Sequence, residues 1–127
     1  MVIDYKYFGS DDSPMSPYNK GRTTTHEVGH WLDLRHIWGD KKGSFGTDYV
    51  SDTSDQEEKT LGTASFPKTD HCIQVSPGVM FMNYMDYTDD ACLNLFTKGQ
   101  VERMLALFKS QNGIRKEMLL YADALTA

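Results

Sequence analysis

The sequence predicts an α+β fold that is mainly helical and carries little strand. Three observations lead there. Apolar residues recur at helical spacing in two stretches, as Val28, Trp31 and Leu32 and again as Val101, Met104, Leu105 and Phe108. A capping-box pattern stands at the head of each, Thr24-x-x-Glu27 and Thr97-x-x-Gln100. Only Val2 to Phe8 alternates as a strand does, with Val2, Asp4 and Lys6 set against Ile3, Tyr5 and Tyr7.

Taken in order, that first strand leads into Gly9–Gly21, a Gly-, Ser-, Asp- and Pro-rich loop. The first helix then runs for about three turns. Trp38–Pro77 shows no period, and so long an irregular stretch needs something besides a core to hold it: a disulfide, a bound cation or a functional role. Val79–Tyr84 is a short apolar run, read as either a turn of helix or a strand end. The second helix follows Thr97. A last helix is expected over Arg115–Leu125, with Met118, Leu119, Ala122 and Leu125 on its apolar side.

A chain of 127 residues suits one modest domain, and its six Phe, seven Tyr and two Trp give it bulk to bury. Net charge is −5, and no Lys/Arg stripe appears, which argues against nucleic acid and against an anionic membrane surface. No apolar run is long enough to span a membrane. The N-terminal MVIDYKYFG lacks the features of a signal peptide. From spacing alone, Cys72 and Cys92 are equally two buried thiols or one disulfide closing a loop of about 20 residues, worth roughly 3 kcal/mol.

Three of the four histidines fall within HEVGHWLDLRH, residues 26–36. His26 and His30 are four apart, so a helix stacks them on one face, where both imidazoles can reach one ion. Glu27 between them can reach a water rather than the ion, as a general base does. HExxH alone also arises by chance on surface helices. His36 bears on the choice. Six further helical steps of about 100° would turn it to the far side. It joins the pair only if the helix stops and the chain reverses near Asp33, at positive φ, which glycine adopts freely and Asp tolerates.

This segment resembles the metzincin zinc peptidases, whose consensus is HExxHxxGxxH; Asp33 stands where that consensus has glycine. Asn83-Tyr84-Met85-Asp86-Tyr87 resembles their methionine turn. The continuation TDDACLNLFTKGQ, the flanks GRTTTHEVGHW and LRHIWGD, and DYVSDT are similar to the pappalysin/cytophagalysin branch. The likeness runs in pieces from about Val2 to Leu107.

The resemblance implies a zincin fold with an active-site helix, a methionine turn and a C-terminal helix. It implies a zinc-dependent metalloendopeptidase that hydrolyses peptide bonds through a zinc-bound water. The alternative is an inactive zinc-binding remnant or a protein-binding module. His26, His30 and His36 would be the zinc ligands and Glu27 the general base. Tyr87 would donate to the oxyanion, and Met85 would floor the site. Cys92 matches a cysteine that is disulfide-bonded in the family, which implies a Cys72–Cys92 bridge and secretion. Calcium is a second implied ion, with Asp48, Asp52 and Thr53 as candidate ligands. His71 reads as a loop histidine, and Asp89-Asp90 as a solvated acidic pair beside the S1′ region.

The implied division is a remnant strand and loop of an upper subdomain at 1–22, and the active-site helix with its third-ligand turn at 23–36. An irregular segment follows at 37–82, then the methionine turn and C-terminal helices at 83–127. An incomplete upper sheet would invite self-association.

Overall fold

The computed structural model describes residues 2–10, 16–109 and 115. Among the described residues two helices stand out, α1 over Arg22–Trp31 and α2 over Lys98–Lys109, with a 3₁₀ turn at Tyr5–Tyr7. Among the described residues no strand forms. Three isolated bridges, Gly62 to Thr88, Lys68 to Gly78 and Asn83 to Leu95, are the only β pairings there. Little strand was expected. A mainly helical chain was also expected, and on that point the structure differs, because irregular backbone fills the space between the helices. The last expected helix, Arg115–Leu125, lies outside the described residues apart from Arg115.

The expected strand at Val2–Phe8 does not form. The Asp4 carboxylate accepts from the Lys6 amide at 3.0 Å and its carbonyl from the Tyr7 amide at 2.9 Å, which curls the segment into the 3₁₀ turn. The box expected at Thr24 also fails. α1 starts earlier, after Gly21 at φ 72, with no side-chain cap from its own sequence. The acceptor comes from far along the chain: Asp90 takes the amides of Lys20 at 2.8 Å and Arg22 at 3.2 Å. Its carboxylate therefore sits at the positive end of α1 and is buried, not solvated. The second box is present as written. Gln100 N–H donates to Thr97 Oγ1 at 3.1 Å, and Thr97 N–H to Gln100 Oε1 at 2.9 Å.

The apolar sides expected on both helices are corrected in part. On α1, Val28 and Trp31 are about two-fifths exposed, and the buried residues are His26 and Gly29. On α2, Val101 and Leu105 are exposed, and Met104 packs on the core. That core is small: Leu34, Ile37, Trp38 and Met85, with Met80, Phe96 and Met104 against it. It lies under the inward face of α1, which is also the histidine face.

Carboxylates hold the irregular segment. Asp70 accepts from the amides of Glu57, Cys72 and Ile73 at 2.8–3.0 Å. Buried Asp86 accepts from the Thr60 and Tyr87 amides, each at 2.8 Å, and from Gln56 Nε2 at 3.0 Å. Asp48 accepts from the Val50 amide and the Thr53 hydroxyl. Each acceptor satisfies donors that a sheet would otherwise pair. Burial raises the Asp48 and Asp86 carboxyls above the usual carboxylate range.

Candidate metal centre and active site

α1 carries His26 and His30 one turn apart, their ring centroids separated by 4.6 Å. The helix then ends as a Schellman motif. Leu34 N–H reaches back to the Gly29 carbonyl and Asp33 N–H to that of His30, each at 3.0 Å. Asp33 occupies the left-handed position at φ 68, as its place before His36 required. The reversal brings His36 Nε2 to 3.1 Å from His30 Nε2. One ring nitrogen from each histidine falls within 4.8 Å of the others.

The far nitrogens explain why these three face inward. His26 Nδ1 meets the Tyr84 carbonyl at 2.6 Å, His30 Nδ1 the Leu34 carbonyl at 2.9 Å, and His36 Nδ1 the Asp40 carboxylate at 2.5 Å. Carbonyl and carboxylate oxygens only accept, so each Nδ1 carries a proton, which leaves Nε2 as the atom able to bind a metal. Burial lowers His26 to about 4 and lowers His36 as well, so both rings are neutral at pH 7. His30 Nε2 and His36 Nε2 lie 3.1 Å apart, close enough for one cation to bind both. Three imidazoles whose Nδ1 groups each meet an oxygen are the donor set that zinc takes. The residues present fit that ion.

Against the cluster packs the Asn83–Tyr87 turn. Met85 is fully buried, and a Cβ on Gly29 would come within 2.5 Å of its sulfur. Glycine in the HEVGH string therefore lets the turn press against α1. Asn83 Oδ1 accepts from the Met85 amide at 2.9 Å, and its amide trades two hydrogen bonds with Gln100 at 2.8 and 3.1 Å. Tyr87 places its ring 4.9 Å from that of His36 and 5.5 Å from that of His26. Trp38 stacks flat on His36 at 4.3 Å and meets Tyr87 edge-on at 4.9 Å. Partial burial, then the charges of Asp40 and Glu27, raise the Tyr87 hydroxyl above its ordinary value of 10.0. Glu27 lines an open cleft of about 500 Å³ together with His26, Arg22, Asp86 and Tyr87.

The structure thus brings together His26, His30, His36, Glu27, Met85 and Tyr87. It separates others. Cys72 and Cys92 are both free thiols, so the expected bridge is not formed. Cys72 belongs to the Asp70 turn and its sulfur accepts from the Ser44 hydroxyl, whereas Cys92 closes a turn with Asp89. Asp48 and Thr53 bond each other at 2.9 Å, but Asp52 turns away to α2, accepting from Thr97 Oγ1 at 2.7 Å and the Gly99 amide at 2.8 Å. The three expected calcium ligands therefore do not share one set of partners. His71 is exposed and meets Glu57 at 2.6 Å, apart from the cluster. Sequence reasoning missed Asp40, Trp38 and Arg103, whose guanidinium holds the Asp33 carbonyl at 2.7 Å and its carboxylate at 2.8 Å.

The sequence model of a peptidase family, Peptidase_M43, described as pregnancy-associated plasma protein-A, matches residues 2–109. The chain belongs to that family. It is the pappalysin family of metallopeptidases, in keeping with the triad geometry. Among similar curated proteins, an extracellular metalloprotease of Arthroderma otae is 43% identical over 88 residues, covering 68% of this chain and 31% of that protein. One from Colletotrichum graminicola is 43% identical over 98 residues, covering 75% and 34%. Mature mirolysin of Tannerella forsythia, solved in complex with a cleaved peptide, superposes with a TM-score of 0.94 at 67% identity, covering 99% of this chain and 47% of that one. The chain thus spans about a third of the length of these curated relatives. No described helix is long and apolar enough to cross a membrane.

Proposed function

We propose that this chain carries the zinc site of a secreted metalloendopeptidase, with His26, His30 and His36 as the ligands. The observation that carries the reading is the convergence of three imidazole nitrogens whose opposite nitrogens each end on an oxygen acceptor. Zinc, when bound, supplies a Lewis acid that polarises the scissile carbonyl and makes water a better nucleophile near neutral pH.

The chain's own groups do the rest. Glu27, at the wall of the open cleft, takes a proton from the attacking water and later delivers it to the leaving amine nitrogen. Tyr87 keeps its hydroxyl proton well above neutral pH and donates it as a hydrogen bond to the developing oxyanion. Tyr84, Leu34 and Asp40 hold the three rings in register through their Nδ1 protons. The substrate is a peptide or protein chain lying along the cleft. Secretion agrees with relatives named as extracellular.

The test compares the chain with Glu27→Ala, both loaded with zinc, on a mixed peptide library read by mass spectrometry. Both proteins are expected to hold about one zinc, while Glu27→Ala loses about 10²–10⁴-fold in cleavage rate. Equal zinc content with no difference in cleavage would make this a zinc-binding module instead.

A further inference from the structure

A second cleft is lined by Tyr87 as well. It encloses about 330 Å³ between the Trp38–Lys42 turn and the Glu58–Lys59 turn. Lys41, Lys42 and Lys59 all line it, in a chain whose net charge is −5. Two acidic groups share the cleft, Asp40 and Glu58. Asp40 is already engaged by His36 at 2.5 Å. Among the described residues none of the three lysines ends in an ion pair, and the Lys59 ammonium lies 5.6 Å from the centre of the Tyr87 ring.

The two lips are fixed relative to each other. Gly43 N–H donates to the Glu57 carbonyl at 2.9 Å, joining the two turns directly. The Glu58 carbonyl accepts from buried Gln56 at 2.7 Å, and the Thr60 amide, next to Lys59, donates to buried Asp86 at 2.8 Å. Asp86 also holds the Tyr87 amide at 2.8 Å. The lysine stems thus rise from backbone pinned by the same groups that set Tyr87. Tyr87 lines both clefts, so the lysine cleft adjoins the cleft that holds Glu27 and His26.

We infer that the lysine cleft is a substrate subsite that receives a carboxylate of the peptide. The inference rests on the peptidase reading for the substrate class, since carboxylates are the anions that an ordinary peptide brings. Two sources share that chemistry, an Asp or Glu side chain and a free C-terminus. Exposed ammonium–carboxylate contacts are individually weak, so the gain is modest and sensitive to salt.

The zinc-loaded Glu27→Ala chain serves as a receptor that binds without cutting. Binding of fluorescent peptides is read by anisotropy, with Gln replaced by Glu at each position in turn and with the C-terminus free or amidated. One Glu position, or the free C-terminus, is expected to bind about 3–10-fold tighter than its neutral counterpart at low salt. Adding Lys42→Ala and Lys59→Ala should bring that ratio to about one, and Lys59→Glu should reverse it in favour of Lys-containing peptides. A gain confined to Glu positions identifies the side chain as the source, and one confined to the free terminus identifies the C-terminal carboxylate. A series in which no carboxylate gains affinity, including one in which nothing binds, overturns the inference, as does a preference that survives the lysine substitutions. Cleavage by the parent chain, followed in parallel, separates the two readings. Cleavage without carboxylate preference leaves the peptidase and removes the subsite; preference without cleavage does the reverse.

Discussion

Asp33 shows what one residue decides. At φ 68 it stands where an L side chain is strained, and the turn it makes is the reason His36 faces its two partners. Arg103 offsets the strain by gripping its carboxylate at 2.8 Å. Asp33→Ala keeps the strain and loses the grip; it should cost about 1 kcal/mol in denaturant unfolding and weaken zinc binding. Asp33→Gly loses the grip and relieves about 1 kcal/mol of strain, so its stability should stay near that of the parent. If the two variants unfold alike, the backbone at this position is not what sets the turn. The need for positive φ here was legible from spacing alone, because six helical steps carry His36 to the wrong side. Asp40 was not legible. Its value lies in a 2.5 Å contact across an irregular turn, which no helical or strand period encodes.

Gly29 belongs to the same scale. Its missing Cβ leaves room for the fully buried Met85 sulfur. Gly29→Ala gains up to about 1 kcal/mol of helix propensity but overpacks the site by about 1–3 kcal/mol. The expected result is a net loss of about 1 kcal/mol together with weaker zinc affinity, because the Tyr84 carbonyl that orients His26 precedes Met85. A more stable Gly29→Ala protein with unchanged zinc affinity would show that the turn has room to yield.

At the scale of elements, the two helix starts contrast. The box at Thr97–Gln100 could be read from the sequence because both partners are local, whereas α1 takes its anion from Asp90, 68 and 70 residues away from the amides it holds. Burial patterns misled for a related reason. The inward face of α1 carries His26 and Gly29 rather than its largest apolar groups, since that face forms the site. α2 has a further anchor in Asp52. The Gly99 amide, and then the Thr97 hydroxyl, hold its carboxyl below its ordinary value of 3.8. A folded value lower than the unfolded one stabilises at pH above 3.8, and the contribution is lost as the pH falls through the folded value. Asp52 is exposed and screened by solvent, so Asp52→Ala should lower stability by no more than about 0.5 kcal/mol at pH 7. Thermal melts of the two proteins should converge as the pH drops below 3.8 and through the lowered folded value. Parallel melts across that range would remove Asp52 as an anchor of α2.

For the whole molecule, the small core and the scarcity of ladders pose the question of what holds the chain. The sequence suggested helices, because the capping boxes and apolar spacings are local signals. It could not suggest the carboxylate-centred loops, because Asp70, Asp86 and Asp48 look like ordinary loop residues until their donors are placed around them. The Asn83–Tyr87 turn and the end of α1 meet at the three histidines, so an ion there would tie α1 to the turn that follows it. Zinc at about 1,000 times its dissociation constant would add about 4 kcal/mol of stability. Chelation should then lower Tm by on the order of 10–20 °C. Glu27→Ala should keep that response and His36→Ala should abolish it, since the first leaves the ligand set whole and the second does not. A chelator that leaves the parent's Tm unmoved would mean that the oxygen partners of the Nδ1 groups hold the imidazoles by themselves, and the centre would then not be a metal site.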